Sequence, residues 1–579
     1  MFEISKRDGL ARLGKIKTSH GVLETPTLLP VVNPKILTLS MEELAECGAQ
    51  GIITNSYIIY KSPELKKIAE ERGVHELVNW AGPIMTDSGT FQSHVYGEIE
   101  MKPEVILEFQ KKIGVDIGTV LDVFCEPETR FEQAKDELTE TQKRIEIADN
   151  NKENMFLAAP IQGGRHLDLR TKAAEMASTT KAELFPIGGV VPMMEKNNFK
   201  ILAEVIIAAK KGLDCSRPVH LFGCGHPILF ALATFLGCDV FDSASYAKFA
   251  SRDSLMFNWG TRNLDELEEL PGEFSAAPGM TVKKLKGLGK KERQKIIAKH
   301  NLMVSFAEIR RVKQAIHDGL LWELVEIRLR GSPALMKVFD VIKNEIEWIG
   351  QFEPAYRYKT PLKTGIESDI RPIFTRLSNS FDNGNMTHPY FGKIPTHLSE
   401  TYPFHPGLLQ EDLEGWKMEE WGIERVKTIL DYQFGNGFGK YFTEENTELV
   451  ISKKTKRLRN LLLDGEHMVS LSHRRGLFIL QKGGAKLLHK HSKMTKFRVV
   501  INPETAEFNK NGKSVFCKFI EDIDSKLRIM DECIVVTPDD ELIAFGKLVV
   551  SPKELELGQQ GMAVRVRGGF GNKEKSEPL

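Results

Sequence analysis

Between about residue 50 and residue 260 the chain repeats one pattern eight times: a short apolar run that closes on small or polar residues, then a segment with helical apolar spacing. The runs are Gly51 to Ser56, Pro83 to Ser88, Gly118 to Asp122, Leu157 to Gln162, Glu183 to Gly189, Pro218 to Gly223, Cys238 to Ser243 and Ser254 to Trp259. Continuously apolar strands belong in a sheet buried on both faces, and helical crossovers make that sheet parallel. Glu104 to Ile113, Phe131 to Ala148 and Asn198 to Gly212 are amphipathic and suit the crossovers. The pattern predicts an α/β fold, a (β/α)8 TIM-type barrel, with an open doubly wound sheet as the alternative. In such a barrel, chemistry gathers where strands end at their C-terminal side. Those ends carry Asp87, Asp122, Gln162, Gly188, Gly189, Gly223 and Asp242.

The 579 residues exceed one barrel, and texture sets the expected boundaries. A barrel domain over 1–348 is followed by a linker domain with long loops over 349–425, where Pro, Tyr and Asn become frequent. A basic α+β domain over 426–495 precedes a small β-barrel of alternating strands over 496–571, and 572–579 is a polar tail. The 79 Lys and Arg balance the 79 Asp and Glu, which excludes a uniformly basic polypeptide but not a basic patch. Lys453, Lys454, Lys456, Arg457, Arg459, Arg474, Arg475, Lys482, Lys486, Lys490, Lys493, Lys496 and Arg498 form such a stripe, against Asp464 and Glu466. A stripe of that density suggests a nucleic-acid surface.

The segment from Met1 to Lys17 is charged throughout, unlike an export signal. The least charged stretch, Pro218 to Cys238, is interrupted by Gly223, Gly225, His226 and Pro227, so it reads as a buried strand and helix and not as a membrane span. The seven cysteines (47, 125, 215, 224, 238, 517 and 533) contain no CxxC pair and read as reduced thiols of a cytoplasmic protein. Asp87, in Thr86 to Gln92, and Asp242, in Asp239 to Ser245, each read alone as a helix cap. With Asp122 they would bring three acids to one barrel mouth, where like charges raise one another's pKa, and that favours an enzyme.

Thr86 to Gln92, Gln162-Gly163, Ile187 to Val190, His220 to Gly223 and Phe241 to Tyr246 resemble the active-site motifs of tRNA-guanine transglycosylases, in the archaeal form that starts archaeosine synthesis. The similarity extends to Thr25-Pro26, Pro30 to Pro34 and Leu398 to Phe404. Gly512 to Phe516 and Gly561 to Arg567 resemble PUA domains, which grip RNA stems and ends.

The resemblance implies a pentosyltransferase that removes guanine, expected at position 15 in the D-arm of tRNA, and inserts 7-cyano-7-deazaguanine (preQ0) without cutting the backbone. It assigns Asp242 as the nucleophile of a covalent aspartyl-ribose intermediate and Asp87 as general acid and base. Base recognition falls to Asp122, Gln162, Gly188, Gly189 and Val190, with Ser88 and Gly223 beside them. Phe91 and Phe222 sandwich the base. Expected partners are tRNA and a 7-deazaguanine base, with no membrane, and a homodimer is among the assemblies open to it. The family's zinc cluster has no counterpart: Pro271 to Pro278 contains no cysteine, and His300 alone does not make a site. No metal or other cofactor is therefore expected, with packing around Phe274 in the cluster's place. Two other readings stay open. One is an archaeosine synthase-type paralogue, expected to carry a Cys and Lys signature where only Cys517 and Cys533 occur; the other is an inactive tRNA-binding relative, against which the three acids count.

Overall fold

The computed structural model describes residues 2–90, 102–272, 274–378, 380–381, 384–405, 421–493 and 496–571. The chain divides into two compact units, Met1–Lys343 and Asn344–Leu579.

The first unit begins with an antiparallel sheet, β1 (Phe2–Asp8), β2 (Ala11–Thr18) and β3 (Gly21–Thr25). Eight parallel strands follow: β4 (Thr27–Pro30), β5 (Ile52–Asn55), β6 (Ile84–Asp87), β7 (Ile117–Thr119), β8 (Phe156–Ala158), β9 (Phe185–Ile187), β10 (Val219–Leu221) and β11 (Val240–Ser243). They form two ladders, β5-β6-β7-β8 and β4-β11-β10-β9. Bridges from Val31 to Ile53 and from Ala158 to Leu184 join the ladders into a closed ring.

The barrel thus forms as expected, with one correction. Ser254 to Trp259 does not supply the eighth strand: β12 (Ser254–Phe257) pairs antiparallel with β13 (Gly260–Asn263), and β4 takes the place beside β11. All four residues of β4 are buried, as a two-sided parallel sheet requires, whereas β13 has no fully buried residue and suits a hairpin with one wet face. Pro26 precedes β4 and Pro30 ends it, and two prolines so close make the run resemble a loop.

Ile16 of β2 and Leu23 of β3 pack with Ile53, Met85, Ile117 and Val240, which lie among the first residues of their strands. The small sheet therefore closes the barrel at the strands' N-terminal end and leaves chemistry to the other end. Arg12 of β2 locks that floor. Its Nε donates to Asp239 at 3.1 Å, and its terminal nitrogens donate to Cys215 O at 2.6 Å and Arg217 O at 3.0 Å. Asp239 also accepts from Val219 N at 2.9 Å. Asp239 is thereby structural, which separates it from Asp242.

The stretch from Pro218 to Cys238 is β10 followed by the helix Pro227–Phe235, every residue of which is buried. Among the described residues no helix is long and apolar enough to cross a membrane. All seven cysteines are buried, and none is in a disulfide.

In the second unit, β14 (Met386–His388) and β15 (Gly392–Ile394) form a hairpin. An antiparallel sheet follows, β16 (Thr447–Ile451), β17 (Leu458–Leu463), β18 (Glu466–Ser472) and β19 (Leu477–Leu480), with the helix Lys482–His491 behind it. The last module is a six-stranded sheet in the order β21-β25-β24-β23-β20-β22, from β20 (Arg498–Ile501), β21 (Val515–Phe516), β22 (Ile520–Ile523), β23 (Glu532–Val536), β24 (Leu542–Leu548) and β25 (Met562–Gly569).

Most of the basic stripe is exposed here, including Lys453, Lys454, Lys456, Arg457, Arg459, Arg474, Lys482, Lys486, Lys490, Lys493 and Lys496. Arg498 is a correction: it is buried, and its guanidinium meets both carboxylate oxygens of Asp540, at 2.7 and 3.1 Å. Arg475 is half-buried, 3.8 Å above the Tyr356 ring.

Candidate active site at the barrel mouth

Asp87 is the last residue of β6, and the parallel register sets Asn55, the last residue of β5, beside it. Asn55 Nδ2 donates to Asp87 Oδ2 at 3.0 Å, the Gly89 N–H donates to Oδ1 at 3.2 Å, and Ser56 Oγ donates to the Asp87 carbonyl at 2.8 Å. Gly89 has φ +100°, and a Cβ there would stand 2.5 Å from Tyr57 Cβ, so the turn that delivers its N–H requires glycine. Burial pushes the Asp87 carboxyl up to about 6. The Gly89 N–H and the Asn55 amide oppose the shift, and the nearby charges of Asp122 and Asp242 add to it. A carboxyl of this kind can hold a proton close to neutral pH and release it.

Asp242 lies on β11, three strands from β6 around the ring. Its Oδ1 meets His220 Nε2 at 2.8 Å and accepts from the Gly223 N–H at 2.8 Å. Gly223 has φ +68°, and a Cβ there would come within 2.4 Å of Val191 Cγ2.

Asp122 follows β7, and Gln162 Nε2 donates to its Oδ2 at 2.6 Å. Burial raises the Asp122 carboxyl, against the hydrogen bonds from Gln162 and Thr90. Gln162 Oε1 is buried with no hydrogen-bond partner among the described residues. An acceptor oxygen and a movable amide at one place are complementary to a base edge that presents both donors and a carbonyl.

Gly188 is committed to the scaffold: its N–H donates to Ile161 O at 3.1 Å, and its carbonyl accepts from Arg170 at 2.8 Å. Its Cβ would sit 2.5 Å from Gln162 Nε2, so it serves the site by leaving room. Gly189, with φ +68°, carries the chain on to the buried Val190. Ser88 is buried and donates to Val120 O at 3.1 Å, which ties the loops after β6 and β7 together. Phe222 is partly buried and meets the His220 ring edge-on at 4.7 Å. Phe91 lies outside the described residues.

Three contributors escaped the reading of the sequence. Asn55 lies in the first apolar run and ends β5, a polar strand end like Asp87. Arg170 sits among Leu169, Ala173, Ala174 and Ala177 on the buried face of its helix, and a cation on an apolar face is a signal. Its guanidinium donates to Ile161 O at 2.6 Å, Gly164 O at 2.9 Å and the Gly188 carbonyl. His220 lies in the motif His220 to Gly223, where the sequence alone does not distinguish it from a core residue.

The sequence holds no cysteine between 239 and 516. His300 is buried with Nε2 3.1 Å from Met256 O, and its ring stacks on Phe274 at 4.9 Å. Burial lowers its imidazole to about 4. A neutral ring between an aromatic and a carbonyl, with no thiolate beside it, does not fit a tetrahedral zinc site. Among the described residues, His20, His75 and Asp116 form the one cluster of metal-ligating type. Each oxygen of Asp116 already meets two nitrogens: Oδ1 the backbone and ring of His20, Oδ2 the His75 ring and Ile84 N. The cluster is a clamp at the barrel floor.

Comparison with known proteins places these features in a wider set. Residues 7–334 match the family model described as queuine tRNA-ribosyltransferase, 424–494 the patch-forming domain C2 of tRNA-guanine transglycosylase, and 497–570 the PUA domain. The chain is 38% identical to a tRNA-guanine(15) transglycosylase of Methanocaldococcus jannaschii, over 98% of this chain and 99% of the relative. Proteins of the same name from Thermococcus kodakarensis and Pyrococcus furiosus are 41% and 40% identical, over 98% and 99% of this chain and 99% and 98% of theirs.

Proposed function

This chain belongs to the tRNA-guanine transglycosylase family, and from that premise we propose that it exchanges guanine 15 of tRNA for 7-cyano-7-deazaguanine, the first step of archaeosine formation. The reading rests most on the contrast between two rim carboxylates. Asp87 is poised to carry a proton, and Asp242 is held through one oxygen by two donors.

Asp242 attacks C1′ of the flipped nucleotide and forms an aspartyl-ribose ester, while the electron pair of the C1′–N9 bond leaves with guanine. Asp87 gives that guanine a proton and takes one from the incoming base, which then displaces Asp242. Such chemistry needs a nucleophilic carboxylate and a proton donor about one anomeric carbon. Asp122 accepts from the ring N–H and amino group of the base, Gln162 turns to its carbonyl, and Gly189 and Val190 line the far edge. Phe91 and Phe222 stack on it; aromatic stacking contributes roughly 1–3 kcal/mol per base towards the cost of flipping.

The exposed lysines and arginines of β16 to β19 and the last module hold the tRNA by its phosphates. The chain holds no structural zinc, Phe274 and His300 filling that place by packing.

The test is trapping. Wild-type protein with tRNA should give a covalent complex that survives denaturing electrophoresis, and Asp242→Asn should give none while still binding tRNA. An adduct in the Asn variant would remove Asp242 from the role, and failure of labelled guanine to enter tRNA with wild-type protein would remove the reaction.

A further inference from the structure

His220 is fully buried, one strand from Asp242, and the β10 to β11 register pairs it with Val240. Its Nε2 lies 2.8 Å from Asp242 Oδ1. Its Nδ1 is buried with no hydrogen-bond partner among the described residues. That asymmetry settles the tautomer. Nε2 must carry a hydrogen to meet a carboxylate oxygen, and a second hydrogen on Nδ1 would bury an N–H with no acceptor, a costly arrangement. The ring is therefore a neutral donor, fixed in plane by edge-on contact with Phe222.

Oδ1 thus receives two donors, His220 Nε2–H and the Gly223 N–H, whereas Oδ2 receives none among the described residues. We propose that His220 is a positioning residue that, with the Gly223 N–H, pins Oδ1 of Asp242 and so assigns Oδ2 as the oxygen that attacks C1′. The proposal rests on the reading of Asp242 as nucleophile. In the step, an Oδ2 lone pair forms the bond to C1′ as the C1′–N9 bond breaks, and its electrons leave with guanine, which takes the Asp87 proton. No proton leaves His220. A neutral donor holds the carboxylate without neutralising it, so its charge remains available to the developing oxocarbenium centre.

The experiment compares His220→Phe and His220→Met, two fillers of different shape that cannot donate, with His220→Gln, which restores a neutral N–H. Full-length protein is assayed for labelled guanine incorporation into tRNA, with thermal unfolding as the control. Both non-donating variants should fold and lower kcat roughly tenfold to a hundredfold, the scale of a misaligned reacting atom. Their KM for tRNA should stay within about twofold, and Gln should recover most of the lost kcat. Should one filler not fold, the other decides. Wild-type kcat in a folded non-donating variant, or a Gln variant no faster than Phe and Met, would overturn the proposal. Asp242→Asn is run beside them: an adduct there would remove the nucleophile itself, whereas loss of that adduct with unaffected His220 variants would remove only the role of His220.

Discussion

Replacing Asp87 with Asn should make the protein inactive and yet more stable at neutral pH, by an amount whose pH dependence follows from the site. Burial lifts the Asp87 carboxyl from an ordinary 3.8 to about 6. Below 3.8 the group is protonated whether the chain is folded or not. Between 3.8 and about 6 the unfolded chain ionises while the folded site keeps its proton, so the native state loses about 1.4 kcal/mol per pH unit. Above about 6 both are ionised and the loss levels off at about 3 kcal/mol. Asn carries no charge and escapes this loss. Its single carbonyl cannot accept from both Asn55 and the Gly89 N–H as the carboxylate does, a fixed cost of roughly 1–2 kcal/mol. That cost is the same at every pH and cancels when two pH values are compared. The advantage of the variant should therefore be about 1.4 kcal/mol larger at pH 8 than at pH 5. Urea unfolding of both proteins in both buffers, followed by circular dichroism, measures it, and guanine incorporation should fall at least about a hundredfold. An advantage that is equal at the two pH values, or larger at pH 5, would refute the reasoning that burial holds a proton on Asp87.

Further outcomes follow from other parts of the chain. Purified protein should contain far less than one zinc per chain and keep its melting temperature in chelator, as elemental analysis and a thermal scan will reveal. Reversing Lys456 and Arg457 to Glu should weaken tRNA binding and lower the log–log salt slope by roughly one per lost phosphate contact, with base choice unchanged in competition assays. Arg12→Met strands Asp239 in the barrel floor and should cost about 3–5 kcal/mol in urea unfolding, part of it regained by adding Asp239→Asn.

Seven of the eight barrel strands were legible because each lies in a continuous apolar run that closes on small or polar residues. β4 was hidden: Pro26 precedes it and Pro30 ends it, and proline is ordinarily a sign of a loop. The site carboxylates were placed at strand ends by the same pattern. What the pattern could not give was the partners that hold Asp239 and Asp242, three residues apart on the same segment: Arg12 for one, His220 and Gly223 for the other. Arg498 shows the same limit. Counting charge along the chain put it in an exposed stripe, while Asp540, 42 residues later, draws it inside. Long-range pairing of this kind leaves no local trace.

The seat of β4 beside β11 also fixes an order of events. During synthesis β5 to β8 can pair with one another as they emerge, but β4 has its full ladder only with β11. Arg12 likewise awaits Asp239, 227 residues later. At ribosomal speeds of roughly 5–20 residues per second, the first thirty residues wait roughly ten to fifty seconds for their seat. Through that interval Ile16 and Leu23 lack Val240, whose strand completes the ring they cover. A segment made before β5 to β8 is fitted after them, so an early stop in translation yields a ring that cannot shut, and removing residues 1–30 takes out a stave and not an appendage.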